Sequence, residues 1–355
     1  MRHAILITLL LVAACTTADD SPTQPAPRAD ARSYRMGFSH VPPSDDFPLA
    51  VRSLESWARR ADAAIIHQEP PWTALLSGEP VARVAEREYD GLVNFWRQRG
   101  FELVIVVDPS NGVARETDSD NLRRAGRSMR EPAIQALYRE WVRTLVTRYR
   151  PVAIGLAVET NLIRDAAPAA LYQAIVRVAN DAAADVRAID ASMPRFITIQ
   201  VEHAWGRLVG TNRYVGVEQD FRDFPFTEWV GLSSYPYLGR FDEPEQVPDD
   251  WYRRPLGGRT LPTVITEGGW SSGSNASFRS SPEKQARWLR RQGALADAIA
   301  PRYLFQLTFS DLTTRTFGND PRLSPFLQLG VVDTTLAPKP ALAVWDSLFA
   351  RRRSR

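Results

Sequence analysis

The sequence has one cysteine, Cys15, in 355 residues. No disulfide can form within the chain, so stability has to come from a buried core. Charge of one sign is also scarce: the net charge is +3, and the basic residues are scattered rather than gathered into a stripe. That pattern gives no nucleic-acid footprint, and the Arg351-Arg352-Arg353 tail reads as a solvated end. Only four histidines are present, with no His-x-His pair to mark a metal-bearing strand end. The chain has no internal repeat and no linker within its main body. No apolar run is long enough to span a bilayer.

What is present divides the chain in three. Arg2 and His3 precede the apolar run Ala4 to Val12, followed by Ala13-Ala14-Cys15. A basic start, a short apolar stretch and small residues make a secretory signal. Leu11-Val12-Ala13-Ala14-Cys15 also resembles a bacterial lipobox, whose cysteine is lipidated and becomes the mature N-terminus. Residues 1–14 are therefore expected to be a lipoprotein signal peptide. Residues 15–32, rich in Asp, Pro, Ala, Ser and Thr, cannot bury enough apolar surface to fold and are expected to be a flexible tether. The implied setting is an exported bacterial lipoprotein, anchored through Cys15 to a membrane and facing the periplasm or the cell exterior. Residues 33–355 are the expected globular body, acting as a monomer. With 44% hydrophobic and 24% charged residues it has ordinary globular composition.

In that body short β-branched or apolar runs alternate with helical patterns. Strands are expected at Arg35–Phe38, Ala63–His67, Leu103–Val107, Val152–Val158, Phe196–Val201, Val230–Ser234, Thr263–Thr266 and Leu304–Thr308. Helices are expected at Leu49–Arg60, Glu86–Arg99, Pro132–Arg148, Pro168–Ala191, Pro282–Ile299 and Pro340–Phe349. Ser281-Pro282-Glu283 supplies a capping serine before a first-turn proline. Alternation of this kind requires a parallel sheet, because parallel neighbours need a crossover of a dozen residues or more. Eight units fit a closed (β/α)8 barrel, a TIM barrel of one domain. The competitor, an open doubly wound sheet, usually carries a glycine-rich phosphate loop after its first strand, and Gly37-Phe38-Ser39-His40 is no such loop. Leu238 to Leu261 lacks periodicity and reads as a long loop over one mouth.

Barrel chemistry stands at the C-terminal ends of the strands. Those ends offer His40, then His67, Glu69 and Trp72, then Asp108. Next come Glu159 and Asn161, then Glu202, His203 and Trp205. The last three ends offer Tyr235 and Tyr237, Glu267 and Trp270, and Asp311. Carboxylates beside indole and phenol faces suit a carbohydrate, whose C–H faces stack on aromatics while its hydroxyls bond to acceptors. Trp72, Trp205, Trp270 and Tyr237 are candidate sugar platforms, and His40, His67 and His203 candidate hydroxyl ligands. Strands four and seven lie across the mouth, so Glu159 and Glu267 can approach each other. Two carboxylates about 5–5.5 Å apart are what retaining glycoside hydrolysis requires.

Three segments resemble clan A retaining glycoside hydrolases, and most nearly the family 53 endo-galactanase type. They are Ile265-Thr266-Glu267-Gly268-Gly269-Trp270, Val158-Glu159-Thr160-Asn161, and Leu329-Gly330-Val331-Val332-Asp333 with Ala337-Pro338-Lys339-Pro340-Ala341. The resemblance implies Glu267 as nucleophile, Glu159 as acid/base, a carbohydrate substrate and no cofactor. Tyr235 is then the expected hydrogen-bond donor to Glu267. The sequence departs from the clan pattern in three places. Val158 stands where an asparagine usually precedes the acid/base residue. His67-Gln68-Glu69 holds no arginine, and the eighth strand ends near Phe309 rather than a tryptophan. Two other readings stay open: a carbohydrate-binding lipoprotein without turnover, and a metal-dependent hydrolase using Glu69, Asp108, Glu202 and Asp311 with His67 and His203.

Overall fold

The computed structural model describes residues 31–354 apart from 209, 211 and 315–319. The expected signal peptide, Cys15 and the tether up to residue 30 lie outside the described residues. Eight parallel strands close into one barrel: β1 (Arg35–Ser39), β2 (Ala63–Gln68), β3 (Glu102–Val107), β4 (Ala153–Gly155), β5 (Arg195–Gln200), β6 (Trp229–Ser234), β7 (Thr263–Gly268) and β8 (Tyr303–Gln306). β1 pairs with both β2 and β8, which completes the ring. The fold is the (β/α)8 barrel expected from the alternation.

Strand alternation builds two apolar layers. Ala63, Ile65, Val104, Val106, Ala153, Phe196, Val264, Tyr303 and Phe305 fill the barrel interior. Their neighbours one residue away, such as Ala64, Ile66, Ile105, Ile154 and Ile265, face the surrounding helices. Successive strand residues point to opposite faces, so each strand feeds both layers. Trp96, Trp141, Trp288 and Trp345 are buried in the outer one.

The helices start where local chemistry dictates. Ser281 accepts a hydrogen bond from the Lys284 amide at 3.2 Å, with Pro282 at the first helical position. The helix expected at Glu86 instead begins at Val81, directly after Pro80, and runs to Arg97. β4 is shorter than its apolar run suggests. A side chain at Gly155 would meet Phe196 at 2.9 Å, and beyond this close approach the chain leaves the ladder. The segment from Leu238 to Leu261 is irregular, as expected, yet its Trp251, Tyr252 and Leu256 are buried, which pins it to the barrel.

At the opposite end of the barrel the chain termini are stitched together. Ala31–Arg32 pairs with Arg352–Arg353, Arg32 bonds Asp62 at 3.0 Å, and Arg351 bonds Asp297 at 2.9 Å. Ala31 and Arg32, expected from sequence to belong to the tether, take part in this pairing. The arginine tail is only partly solvated: Arg352 and Arg353 are exposed, while Arg351 pairs with Asp297 and Arg353 lies 3.6 Å from Asp62.

Candidate active site

Glu267 owes its direction to a defect in β7. Val264 and Thr266 face the barrel interior, so in a regular strand Glu267 would point outward toward the helices. The pairing with β6 slips by one residue: Leu232 opposes Ile265, but Ser233 opposes Glu267. This bulge turns Glu267 to the same side as the inward-facing Ser233, the kind of re-aiming bulges provide. The two glycines that follow allow close passage: a side chain at Gly268 would sit 2.6 Å from the Ser234 carbonyl oxygen.

Glu159 is aimed by a different irregularity. Its φ of 47° is left-handed, a conformation costing a non-glycine residue roughly 1–2 kcal/mol. The surroundings hold it there. The Glu159 amide donates to Thr198 Oγ1 at 2.8 Å, and its carbonyl accepts from Leu162 at 2.9 Å as the helix Thr160–Ala166 begins.

The two carboxyl groups share one polar cluster, and each is only 8% exposed. Ser233 Oγ donates to Glu159 Oε1 at 2.5 Å, and Tyr235 Oη donates to Glu267 Oε2 at 2.8 Å. Arg115 Nε donates to Glu159 Oε2 at 2.9 Å, while its Nη1 binds Asp108 Oδ2 at 2.5 Å and Ser110 Oγ at 3.0 Å. Burial pushes both glutamates above the ordinary carboxylate range. Arg115 pulls each back down, and the Glu267 charge raises Glu159 further. His67 stands beside Asp108, Arg115 and Glu159, and burial lowers its pKa to about 4, so it is neutral at pH 7. The net charge of the cluster at that pH is set by three carboxyl groups against one guanidinium.

Of the residues singled out in the sequence, the structure brings together Glu159, Glu267, Tyr235, Asp108 and His67. It turns the others elsewhere. Trp72 and Trp270 are buried, the latter donating to Ser280 Oγ at 2.9 Å, and Tyr237 is buried with its hydroxyl on the Pro325 carbonyl. Trp205 is half-buried, with its ring stacked on Trp251 at 5.0 Å and capped by Arg254 at 4.6 Å. None of the four expected platforms therefore presents an open face. Both ends of the Asn161 amide are taken by the Gln200 backbone. Glu69 binds Ser119 and the Gly112 amide, and Asp311 is paired with Lys339 at 2.7 Å. His203 binds Asp165 at 2.7 Å, and His40 binds Gln68 at 2.6 Å with its ring against Tyr89. Among the described residues no three His, Cys, Asp or Glu side chains converge on a common point suited to a metal ion.

Sequence reasoning missed Arg115, Ser233 and Thr198. Arg115 arrives from the loop after β3, not from β2. Asn111 Oδ1 accepts from the Val113 and Ala114 amides, and this turn folds the loop back over the mouth. The Asn111-Gly112 dipeptide was the available sign of a turn. Phe309 packs outward on Phe38 at 5.2 Å, so the eighth strand end supplies no platform.

Glu202 is wholly buried beneath the mouth, accepting from Ser234 Oγ at 2.7 Å and Gln200 Nε2 at 2.5 Å. Burial raises its pKa from 4.5 to about 8. A carboxyl whose pKa is higher in the fold contributes stability that is complete below about pH 4.5 and is lost as pH rises through about 8. Glu202→Gln is therefore expected to gain on wild type across that window, by a few kcal/mol at its alkaline end. Urea denaturation at pH 5 and pH 9 reads the difference. Equal offsets at both pH values would contradict it.

No protein-family model matches this sequence, and no curated protein is similar to it. Solved structures are. The exo-β-1,4-mannosidase Op5Man5 from Opitutaceae bacterium strain TAV5 superposes with a TM-score of 0.65 at 14% identity, covering 90% of this chain and 59% of that one. GH5_18 from Streptomyces cattleya, in complex with GlcNAc, gives 0.63 at 17% identity over 90% and 80% of the two chains. Xylanase 10B from Thermotoga maritima gives 0.56 at 12% identity over 89% and 95%. The barrel is built like those of glycoside hydrolases. At such identities the likeness shows the fold, and this chain spans less than two thirds of the mannosidase. The nearer likeness to family 53 rests on the sequence motifs alone.

Proposed function

We propose that the protein is a retaining glycoside hydrolase acting on an oligo- or polysaccharide. The observation that carries this reading is the pair of buried carboxyl groups, Glu159 and Glu267, turned to one point by a left-handed residue and a bulge and joined through Ser233. Glu267 attacks the anomeric carbon while Glu159 gives its proton to the departing oxygen. The products of this step are a glycosyl ester on Glu267 and a free alcohol. Water then attacks the same carbon, Glu159 takes its proton, and Glu267 leaves as a carboxylate. Tyr235 holds Glu267 in place, and its hydrogen bond favours the ionised form that attacks. Burial and the charge of Glu267 favour the protonated form of Glu159 that acts first.

Proton NMR of the first product formed tests this reading. Hydrolysis with the anomeric configuration kept supports it, and inversion or a lack of hydrolysis rejects it. One observation favours carbohydrate binding without turnover instead: the Arg115 hydrogen bond stabilises the ionised form of Glu159, the opposite of what an acid needs. Binding of polysaccharide without release of reducing ends would support that reading.

The proposal includes a lipid anchor at Cys15. Ala31 leaves the body beside Arg352, next to the Asp62 and Arg302 ends of the strands, which is the face opposite the carboxylate pair. A flexible tether leaving from that floor leaves the mouth free to face away from the membrane. Cys15→Ser is expected to release the protein from the membrane fraction.

A further inference from the structure

The two displacements give Glu202 nothing to do, yet its buried carboxyl costs the fold stability as pH rises toward 8. Filling space does not account for such a group, because an amide or an apolar residue fills the same space without that cost. Its hydrogen bonds do. Ser234 Oγ donates to Glu202 Oε1 at 2.7 Å, Gln200 Nε2 donates to Oε2 at 2.5 Å, and the Tyr235 backbone amide donates to the same carboxyl. Trp251 Nε1 donates to Ser234 Oγ at 3.0 Å, so that hydroxyl is held between an indole and the carboxyl.

These contacts lead to both glutamates of the proposed pair. Ser234 lies between Ser233, whose hydroxyl donates to Glu159, and Tyr235, whose hydroxyl donates to Glu267. Ser233 and Ser234 point to opposite faces of β6, so fixing Ser234 outward fixes Ser233 inward. The Ser234 carbonyl accepts from the Gly269 amide at 3.2 Å, which ties the chain two residues past Glu267 to the same point. On the other side, the backbone N–H and carbonyl of Gln200 bond the Asn161 side-chain amide, each at 2.9 Å, two residues past Glu159. Glu202 thus joins the chain at the ends of β4, β5, β6 and β7, and Asn161, Gln200, Glu202 and Ser234 are all buried.

Small errors matter at such a point. Displacing a reacting group by about 1 Å can cost roughly a hundredfold in rate. Burial raises the pKa of Glu267, and Arg115, Tyr235 and Ser233 draw it back down. Loosening the last two lets it rise.

We propose that Glu202 is a positioning residue for the two displacements: through Ser234 it holds Ser233 and Tyr235 where they set the direction and the charge of Glu159 and Glu267. The proposal rests on the glycosidase reading above and extends it to a residue behind the catalytic pair.

The test measures kcat, KM and the pH dependence of kcat/KM for Glu202→Ala, Glu202→Gln and Ser234→Ala, on an aryl glycoside that wild type cleaves. Glu202→Ala and Ser234→Ala are expected to lower kcat roughly ten- to a hundredfold, with KM within about twofold of wild type. Glu267 acts in its ionised form, so rate is lost as pH falls through its pKa, and a raised pKa moves the low-pH limb upward. The expected move is roughly half to one pH unit, the effect of one weakened hydrogen bond. Glu202→Gln keeps the length and one acceptor oxygen and should fall between wild type and Glu202→Ala. A purely structural role lowers the folded fraction, and with it the apparent kcat, but leaves the limb in place. Where Glu202→Ala fails to fold, Ser234→Ala decides, since it deletes a single hydroxyl. A folded Ser234→Ala with an unmoved limb overturns the proposal and leaves the glycosidase reading standing. A wild type that cleaves no glycoside overturns that reading, and this proposal with it.

Discussion

Glu267→Ala is expected to lower kcat by at least about a thousandfold, equivalent to about 4 kcal/mol of barrier. The assay is an aryl glycoside with a good leaving group. Added azide should restore part of the rate and form a glycosyl azide of inverted configuration. The small anion occupies the space of the missing carboxylate and attacks the anomeric carbon once. Glu159→Ala should also respond to azide, but there the product keeps its configuration, because azide replaces water in the second of two displacements. The two stereochemical outcomes separate the roles of the residues, which loss of rate alone does not. Identical azide products from both variants would contradict the assignment.

Arg115→Ala is expected to have the second-largest effect, and it should fall on stability as well as rate. Arg115 is the cation bonded to both Asp108 and Glu159, all three nearly excluded from solvent. Removing one partner of a buried ion pair leaves the others uncompensated and costs about 3–5 kcal/mol. The loss should be greatest at neutral pH and shrink in acid, where Glu159 can take up a proton in place of its partner. Arg115→Lys should fall between, since an ammonium keeps the charge but cannot reach both carboxylates with a rigid fork. Denaturation midpoints at pH 5 and pH 7 for the two variants check this. A Glu159 that titrates as in wild type after the alanine change would contradict it.

The barrel was legible because its signal is repeated. Eight apolar runs, each separated by a helical pattern, leave few other arrangements, and the six principal helices lie close to their expected places. The position of the carboxylate pair followed from counting strands. What could not be read was direction at the strand ends, where the twofold alternation stops. Thr266 is bulged, and without that slip Glu267 would face the helices. Glu159 adopts a left-handed backbone that its own side chain disfavours, so no local preference announces it. Trp72, Tyr237 and Trp270 sit at plausible positions, yet one further turn of chain carries each into the outer layer. Arg115 illustrates the limit most clearly. A turn at Asn111-Gly112 was visible, but the reach of a loop side chain across the mouth depends on tertiary contacts that no spacing records.

The central claim is that Glu267 forms a covalent bond to the sugar. The most direct measurement is mass spectrometry of the protein after incubation with a 2-deoxy-2-fluoro glycosyl fluoride of the sugar it cleaves, followed by peptide mapping. The electron-withdrawing fluorine slows the second step more than the fluoride leaving group slows the first, so the glycosyl ester accumulates. A single adduct on the peptide containing Thr263 to Trp270, located at Glu267 and absent from Glu267→Gln, is the predicted result. An adduct on another residue, or an active enzyme that turns over its substrate with inversion and never labels, would contradict the account.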